Sequence, residues 1–309
     1  STSRTIWSPS RTARSGPFAY DSGETCRTMV PNAVPLMRAS EMRTMSVTPF
    51  EPSFFGIGSA PASGMPGAPA IEGAMLVIDN KSGQIKAMIG GWSFGRSKFN
   101  RAVQAYRQIG STFKPIVYST AIQAGRPPSY MVDDAPLEMA QLDPNKPWTP
   151  QNFDLKFWGP MTMRHGLYES RNMIAIRVGM EVGEQNVVQM AKKFGITTPV
   201  PPYPSIHIGS ADVYPLEMIA AYSVFANLGW RVPPTPIVRV EDEKGKVLYK
   251  PEPEREEVLS REEAWLMVDM MKDVIRKGTA AGSVGQYFHI PAGGKTGTTN
   301  DGTNVWFVG

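Results

Sequence analysis

Ser111 and Lys114 are the residues whose types and spacing most directly suggest covalent chemistry. They lie three residues apart in the segment 110–115 (GSTFKP), just ahead of the apolar run 116–122 (IVYSTAI). Residues at positions i and i+3 of a helix lie on one face, so the amine and the hydroxyl can share a cleft. A serine hydroxyl is a weak nucleophile until a base takes its proton, and a neutral lysine can be that base.

A lysine acts as a base near neutral pH only if its pKa is lowered. The ordinary value is about 10.4, and lowering it toward 7 corresponds to roughly 4 to 5 kcal/mol. Burial beside a second cation shifts a lysine in that direction. This interpretation therefore requires another positive group in the same cleft. Without one, the same spacing is typical of a helix N-cap followed by a solvated lysine.

Two later segments offer the required partners. Segment 170–172 (SRN) precedes a helical pattern, and segment 295–297 (KTG) opens a late strand. At average residue usage, Ser-x-Asn is expected about once in a chain of this length, whereas Lys-Thr-Gly is expected in roughly one such chain in ten. The segment 81–83 (KSG) has a related pattern, but it precedes Ser111 and lies in a predicted hairpin turn. We interpret it as turn residues only.

The order Ser-x-x-Lys, Ser-x-Asn, Lys-Thr-Gly is that of penicillin-binding proteins and serine β-lactamases. Residues 74–309 resemble the transpeptidase domain of the class A (bifunctional) penicillin-binding proteins. The stretches that carry the resemblance are 77–91, 99–102, 110–115, 148–154, 170–172, 215–218 and 294–299. It implies an α+β fold in which a five-stranded antiparallel sheet is flanked by helices, with the nucleophile at the start of a central helix.

The chain departs from the family pattern in three places. Ile109 stands where the family usually has a proline, and Arg171 occupies the variable middle position of Ser-x-Asn. Gly309 falls within what reads as the fourth strand. The family's fifth strand and closing helix are therefore expected to be missing, which leaves the activity of this chain open.

The resemblance implies a D-Ala-D-Ala stem peptide as acyl donor and an amine of a second stem as acceptor. Ser111 would form the acyl-enzyme and Lys114 would be its base. Lys295 would be the second cation, Ser170 would relay a proton between the two amines, and Asn172 would hold the acyl chain. A helix N-cap is the alternative role of Asn172.

Five further residues are predicted to contact substrate. They are Thr296, Gly297, Thr298, Trp148 and Asn152. The two threonines offer hydroxyls, with Thr298 favoured for the substrate carboxylate, and Gly297 allows close backbone approach. Backbone N–H groups of Ser111 and Thr298 would form the oxyanion hole, where one donor is worth roughly 3 to 4 kcal/mol. Core packing is an equal alternative for Trp148.

Composition excludes several other classes of protein. The chain has 309 residues and a net charge of +4, with its basic residues scattered, which gives no indication of nucleic-acid binding. Cys26 is the single cysteine and the three histidines are not at metal-ligand spacing, so we predict no metal and no cofactor. No apolar run is long enough to span a membrane and no signal peptide is recognisable.

The resemblance also implies a location and partners. The parent protein would act in the bacterial cell envelope, on the periplasmic face of the inner membrane. It would be held there by an anchor that this chain does not contain. Its partners would be peptidoglycan stem peptides and β-lactams.

Hydrophobic periodicity predicts the elements that position these residues. Hairpins are predicted across residues 80–83 and 244–245, and two strands at 295–299 and 305–308. Helices are predicted from Ser111 to Gly125, at 172–182, 184–194 and 215–228, and from the Ser260/Glu263 capping box to Lys277. Residues 278–285 are predicted to form a loop.

Residues 1–70 differ in composition from the rest of the chain. They contain six arginines, no lysine and five methionines, with no sustained periodicity. We predict a linker-like or non-native segment without stable order, followed by a transpeptidase domain over residues 71–309.

Three other functions are consistent with the same residues. A D,D-carboxypeptidase or β-lactamase would pass the acyl group to water, and Glu169 beside Ser170 is the candidate base for that step. A β-lactam sensor would acylate and then signal, although no signalling domain is recognisable. The chain could also be a fragment that binds β-lactams without catalysis.

Overall fold

A computed structural model describes residues 71–140, 147–299 and 302–309. The predicted linker-like segment 1–70 lies outside the described residues. Helices and antiparallel strands mix along the chain, in agreement with the predicted α+β class. None of the described helices is both long enough and apolar enough to cross a bilayer.

The described residues contain seven α-helices. They are α1 (Arg101–Gln104), α2 (Lys114–Gln123), α3 (Met163–Tyr168), α4 (Asn172–Val182), α5 (Glu184–Lys193), α6 (Pro215–Ala226) and α7 (Arg261–Arg276). Two short 3₁₀ turns, Gly110–Phe113 and Pro204–Ile208, precede α2 and α6 respectively. The first of these, which carries Ser111, is called the Ser111 turn below.

Twelve short strands are described, and all of them pair antiparallel. They are β1 (Met75–Ile78), β2 (Ile85–Ile89), β3 (Arg107–Gln108), β4 (Met131–Asp134), β5 (Gly159–Thr162), β6 (Asp212–Val213), β7 (Trp230–Arg231), β8 (Val240–Glu241), β9 (Val247–Tyr249), β10 (Glu256–Glu257), β11 (Lys295–Thr298) and β12 (Val305–Val308). The pairs are β1–β2, β3–β6, β4–β5, β7–β10, β8–β9 and β11–β12.

The five-stranded sheet implied by the family resemblance is not formed by the described residues. Each sheet there has two strands, and the β1–β2 and β11–β12 hairpins are separate pairs. Strands β1 and β12 both pack against α6, and β11 packs against α7 and the Ser111 turn. The two hairpins are therefore held by the helices and not by backbone bonds to each other.

Helix α2 is the central helix that the resemblance implies. Its residues 114–122 are all buried, so it is enclosed on every side, as expected for a helix inside a core. Helices α4, α5 and α7 pack around it. The residue that begins α2 is Lys114, which places its charged side chain inside the protein.

Local sequence signals set most of the helix ends. The Ser260 hydroxyl accepts from the Glu263 N–H and the Glu263 carboxylate accepts from the Ser260 N–H, which confirms the predicted capping box of α7. The prediction of a plain loop at 278–285 is wrong in part, because residues 281–285 (AGSVG) form a π-helical turn. A Cβ atom on Gly285 would come within 2.2 Å of the Ile275 carbonyl oxygen, so this turn packs tightly on α7.

Candidate active site

Two glycines set the position of the Ser111 turn. Gly110 has a φ of 52° and donates its N–H to the carbonyl of Gly209 at 3.0 Å. A Cβ atom on Gly209 would lie 1.8 Å from the Gly110 oxygen. The turn thus lies so close to the segment that follows Pro204–Ile208 that a side chain does not fit at either glycine. Ser111 itself stays partly exposed.

Lys114 is fully buried and its amine contacts the Ser-x-Asn segment. Its Nζ lies within hydrogen-bond distance of the Ser170 carbonyl oxygen at 2.6 Å, the Asn172 Oδ1 at 2.8 Å and the Ser170 Oγ at 3.3 Å. The amine is thus oriented by three oxygens of one segment. The alternative of a solvated lysine does not describe this side chain.

Lys295 approaches the same hydroxyl from β11. It is also fully buried, and its Nζ donates to the Ser170 Oγ at 2.8 Å and to the Thr296 carbonyl at 3.0 Å. The Ser170 oxygen therefore lies between two buried amines, as the predicted proton relay requires.

Burial lowers the pKa of both lysines, and nearby positive charges add to the shift of Lys114. The pKa of Lys114 lies well below its usual value, first because the amine is buried and then because of the positive charges of Lys295 and Arg171. Asp134 opposes this shift. Burial lowers the pKa of Lys295 to about 7. A lowered pKa favours the neutral Lys114 amine, and a neutral amine can accept a proton, which is the property predicted for the base.

The Ser-x-Asn segment has an unusual backbone. Ser170 has a φ of 57°, a left-handed conformation that costs a non-glycine residue on the order of 1 kcal/mol or more. Asn172 is the first residue of α4, and its amide donates to the Gln151 carbonyl at 2.7 Å while its oxygen accepts from Lys114. Its side chain therefore does not cap the helix.

The Lys-Thr-Gly strand lies directly on the Ser111 turn. A Cβ atom on Gly297 would lie 2.7 Å from the Thr112 Cγ2 and 2.8 Å from the Ile109 carbonyl oxygen. The Thr296 hydroxyl is 2.6 Å from that of Thr279, and the Thr298 side chain is exposed. Only a glycine at position 297 allows this approach.

Gly297→Ala is expected to slow acylation of Ser111 by penicillin at least 10-fold, because the added methyl group must push β11 away from the Ser111 turn. Displacements of about 1 Å at reacting groups can cost on the order of 10²-fold in rate. Gly95→Ala is the matched control, since its added Cβ would meet no atom within 4 Å. Acylation rates under pre-steady-state conditions test this, and equal rates for the two variants would contradict it.

Trp148 and Asn152 occupy different positions, although both were predicted to contact substrate. Trp148 lines a cavity of about 110 Å³ beside Ser111, together with Gly110 and Thr298. Asn152 is only 2% exposed, and its carboxamide donates to Asp134 and accepts from the Asn172 N–H at 2.7 Å. Asn152 therefore holds the backbone N–H of Asn172 from the protein interior.

Two residues of this site escaped the sequence predictions. Arg171 was treated as a variable position and Asp134 was not considered, yet both are buried and paired behind Ser170. Segment 81–83 (KSG), which has a pattern related to Lys-Thr-Gly, forms the β1–β2 turn. There the Ser82 hydroxyl donates to Asp79 at 2.6 Å. No group of three or more potential metal ligands occurs in the part of the chain that the structure describes.

Comparisons with known proteins agree with this geometry. The family described as the penicillin binding protein transpeptidase domain matches residues 73–309. Penicillin-binding protein 1A of Neisseria meningitidis serogroup B (strain MC58) is 39% identical over 248 residues, which cover 78% of this chain and 31% of that protein. Penicillin-binding protein 1A of Aquifex aeolicus is 41% identical over 243 residues, covering 78% of this chain and 33% of the relative. The chain thus spans about a third of these relatives.

Solved structures show the same fold. The crystal structure of penicillin-binding protein 1A from Haemophilus influenzae matches with a TM-score of 0.73 and 29% identity, covering 76% of this chain and 41% of that one. PonA1 from Mycobacterium tuberculosis in complex with penicillin V matches with a TM-score of 0.64 and 23% identity, covering 75% of this chain and 63% of that one.

Proposed function

Because this chain belongs to the family of penicillin-binding protein transpeptidase domains, we propose that it is a serine D,D-transpeptidase that cross-links peptidoglycan stem peptides. Residues 71–309 would form the catalytic domain. The observation that carries the proposal is the Ser170 hydroxyl placed between two fully buried lysine amines, one of which is three residues from Ser111. Burying two lysines is costly, and such groups cluster at sites where their pKa values are used.

In the proposed acylation step, the Ser111 oxygen attacks the carbonyl of the penultimate D-alanine. The serine proton passes to the neutral Lys114 amine, and the oxyanion is stabilised by the N–H groups of Ser111 and Thr298. The C–N bond to the terminal D-alanine then breaks, and its nitrogen takes up a proton relayed through Ser170. An ester between Ser111 and the donor peptide results.

In the second step, the amine of another stem attacks that ester. It loses a proton to the site, forms the cross-linking amide and frees the Ser111 hydroxyl. Lys295 and the Thr298 hydroxyl would favour the terminal carboxylate of the donor, since one supplies positive charge and the other a hydrogen-bond donor. Asn172 and Trp148 would position the acyl chain.

The same site would bind β-lactams covalently, since their ring amide occupies the place of the scissile bond. PonA1, a structural neighbour, has been solved with penicillin V. Stem peptides lie outside the inner membrane, so the parent protein would act at the periplasmic face.

A single experiment tests this function against its hydrolytic and non-catalytic rivals. The chain is incubated with fluorescent penicillin and the label is located by peptide mapping; labelling of Ser111 is expected. A D-Ala-D-Ala ester donor is then supplied with and without D-amino-acid acceptors. We expect the acceptor to capture the acyl group and to speed its release. Release to water alone would indicate a hydrolase, and labelling without turnover would indicate a binding fragment.

A further inference from the structure

A buried arginine–aspartate pair lies directly behind the Ser-x-Asn segment. The Arg171 side chain is 5% exposed and the Asp134 side chain is fully buried at the end of β4. The Asp134 Oδ2 accepts from the Arg171 Nε at 2.9 Å and lies 2.8 Å from the Arg171 Nη2. One carboxylate oxygen thus forms a charge-assisted contact with one edge of the guanidinium.

Asp134 is connected to Lys114 through two amides. Its Oδ1 accepts from the Asn152 Nδ2 at 2.7 Å, and the Asn152 Oδ1 accepts from the Asn172 N–H at 2.7 Å. Asn172 in turn accepts from Lys114 at 2.8 Å. The carboxylate therefore positions the residue that orients the candidate base, although Asp134 itself touches neither lysine.

The Arg171 guanidinium has further partners besides Asp134. It also donates to Asp154 at 3.0 Å and to the Lys156 carbonyl, and it stacks on the Trp158 ring 4.2 Å from the centroid. These contacts fix the residue that follows Ser170. They explain how Ser170 is kept in a left-handed conformation, which persists only where the surroundings determine it.

The charges that face Lys114 come from several elements. Lys295 on β11 and Arg171 are cationic, Asp134 on β4 is anionic, and Asp154 pairs with the far side of Arg171. Tyr118, one turn along α2, stays a neutral phenol because burial and Asp134 raise its pKa. Of the charges that act on the Lys114 amine, those of Lys295 and Arg171 favour its neutral form and that of Asp134 opposes it.

We propose that Arg171 and Asp134 form a positioning pair behind the Ser-x-Asn segment, in which Asp134 holds Asn152 and Asn172 in place and Arg171, the middle residue of Ser-x-Asn, sets a positive charge beside the candidate base. The inference rests on the proposed function in that Lys114 is its base. Arg171 supplies the repulsion, and Asp134 limits it while holding Asn152 and Asn172. The protonation state of Lys114 can be measured without any reaction, which makes the two claims separable.

The test is a titration of Lys114 by NMR in the 309-residue chain with ¹³Cε-labelled lysine. The Lys114 signal is identified by its absence in Lys114→Met. In Arg171→Gln we expect the midpoint to move up by about half a pH unit or more, because a neighbouring cation is lost. In Asp134→Asn it should move down, because the opposing anion is lost. A purely structural role predicts no opposite shifts.

Two further variants keep the test decisive. Arg171→Lys retains the charge and should keep the wild-type midpoint even though the guanidinium contacts to Asp134 are lost. If Asp134→Asn does not fold, the Arg171→Lys and Arg171→Gln pair alone decides the question. Arg164→Gln is the matched control, since Arg164 pairs with Asp269 and Asp273 on α7 and should leave the midpoint unchanged.

The penicillin acylation rate against pH is measured in parallel. Its acid limb should move with the NMR midpoint in each variant. Overlapping NMR titrations of wild type and Arg171→Gln would overturn this inference whether or not Ser111 is acylated. Shifted titrations in a chain that penicillin does not acylate would instead leave the inference standing and overturn the proposed function.

Discussion

Replacing Ser111 with alanine is expected to abolish covalent labelling of the chain by fluorescent penicillin. The hydroxyl is the only group of the Ser111 turn proposed to form the ester, and its partners in the reaction remain in place without it. Removing it should leave the fold intact, because Ser111 is partly exposed and its backbone, not its side chain, joins the turn to α2. Labelling is measured on denaturing gels, where a non-covalent complex does not survive.

Ser119→Ala provides the matched control on the same helix. The Ser119 hydroxyl is fully buried and donates to the Pro115 carbonyl at 2.7 Å, within the helix that begins at Lys114. Its loss should lower stability slightly without changing the amount of label per chain. Stoichiometric labelling of Ser111→Ala would show that another residue is the nucleophile.

Five of the seven described helices could be predicted from sequence because local signals determine them, whereas the short helices α1 and α3 were not predicted. Helix α4 (Asn172–Val182) has the predicted bounds, and α7 begins at the predicted capping box. Segment 184–194 was predicted as a helix, and α5 ends at Lys193, one residue earlier. The two hairpins at β1–β2 and β8–β9 also form where turn residues separate apolar runs.

The association of strands into sheets could not be predicted from the same signals. Strand pairing depends on which edges meet in space, and alternation within a strand does not specify its neighbour. The described β1–β2 and β11–β12 hairpins stay separate, although the family resemblance implied one five-stranded sheet. The π-helical turn at 281–285 was likewise missed, because small residues there are compatible with a loop or a tight turn.

Sequence motifs named some residues of the site, but residues that only the fold brings together were missed. The three motifs and the family resemblance named Ser111, Lys114, Ser170, Asn172 and Lys295, and the structure brings the last four of these together. Asp134 lies 37 positions from Arg171 in sequence, and only the fold brings the two together. The arginine at the middle of Ser-x-Asn was the one available clue to this pair. A buried arginine nearly always needs an acidic partner, so burial of that segment would have indicated one.

The buried lysines are also a cost to the fold. Since the pKa of Lys114 is lower in the folded chain than in the unfolded one, the unfolded chain binds more protons at neutral pH. This group therefore lowers stability at pH 7, and stability is recovered as pH rises toward the ordinary lysine pKa of about 10.4. Lys295, with a pKa of about 7, contributes with the same sign. The arrangement that favours a neutral lysine amine thus lowers the free energy of unfolding of the chain.

Replacing Lys114 with alanine should slow acylation of Ser111 at least 100-fold, the lower end of the effect of a general base. The lost amine leaves the serine proton without an acceptor, while the Ser111 turn keeps its backbone contacts to Gly209. The acylation rate of the wild type should rise with pH as Lys114 loses its proton. Stopped-flow fluorescence with a labelled penicillin measures both quantities, and Lys192→Ala, an exposed lysine on α5, is the control.

Lys114→Arg separates a base from a fixed positive charge. A guanidinium stays protonated near pH 7, so it can attract a carboxylate but cannot take the serine proton. We expect this variant to be as slow as Lys114→Ala, with melting temperatures recorded to show that each variant is folded. An arginine variant that acylates at the wild-type rate would mean that Lys114 acts through charge alone. The proton would then have to leave Ser111 by another route, for which the Ser170 hydroxyl between Lys114 and Lys295 is the candidate.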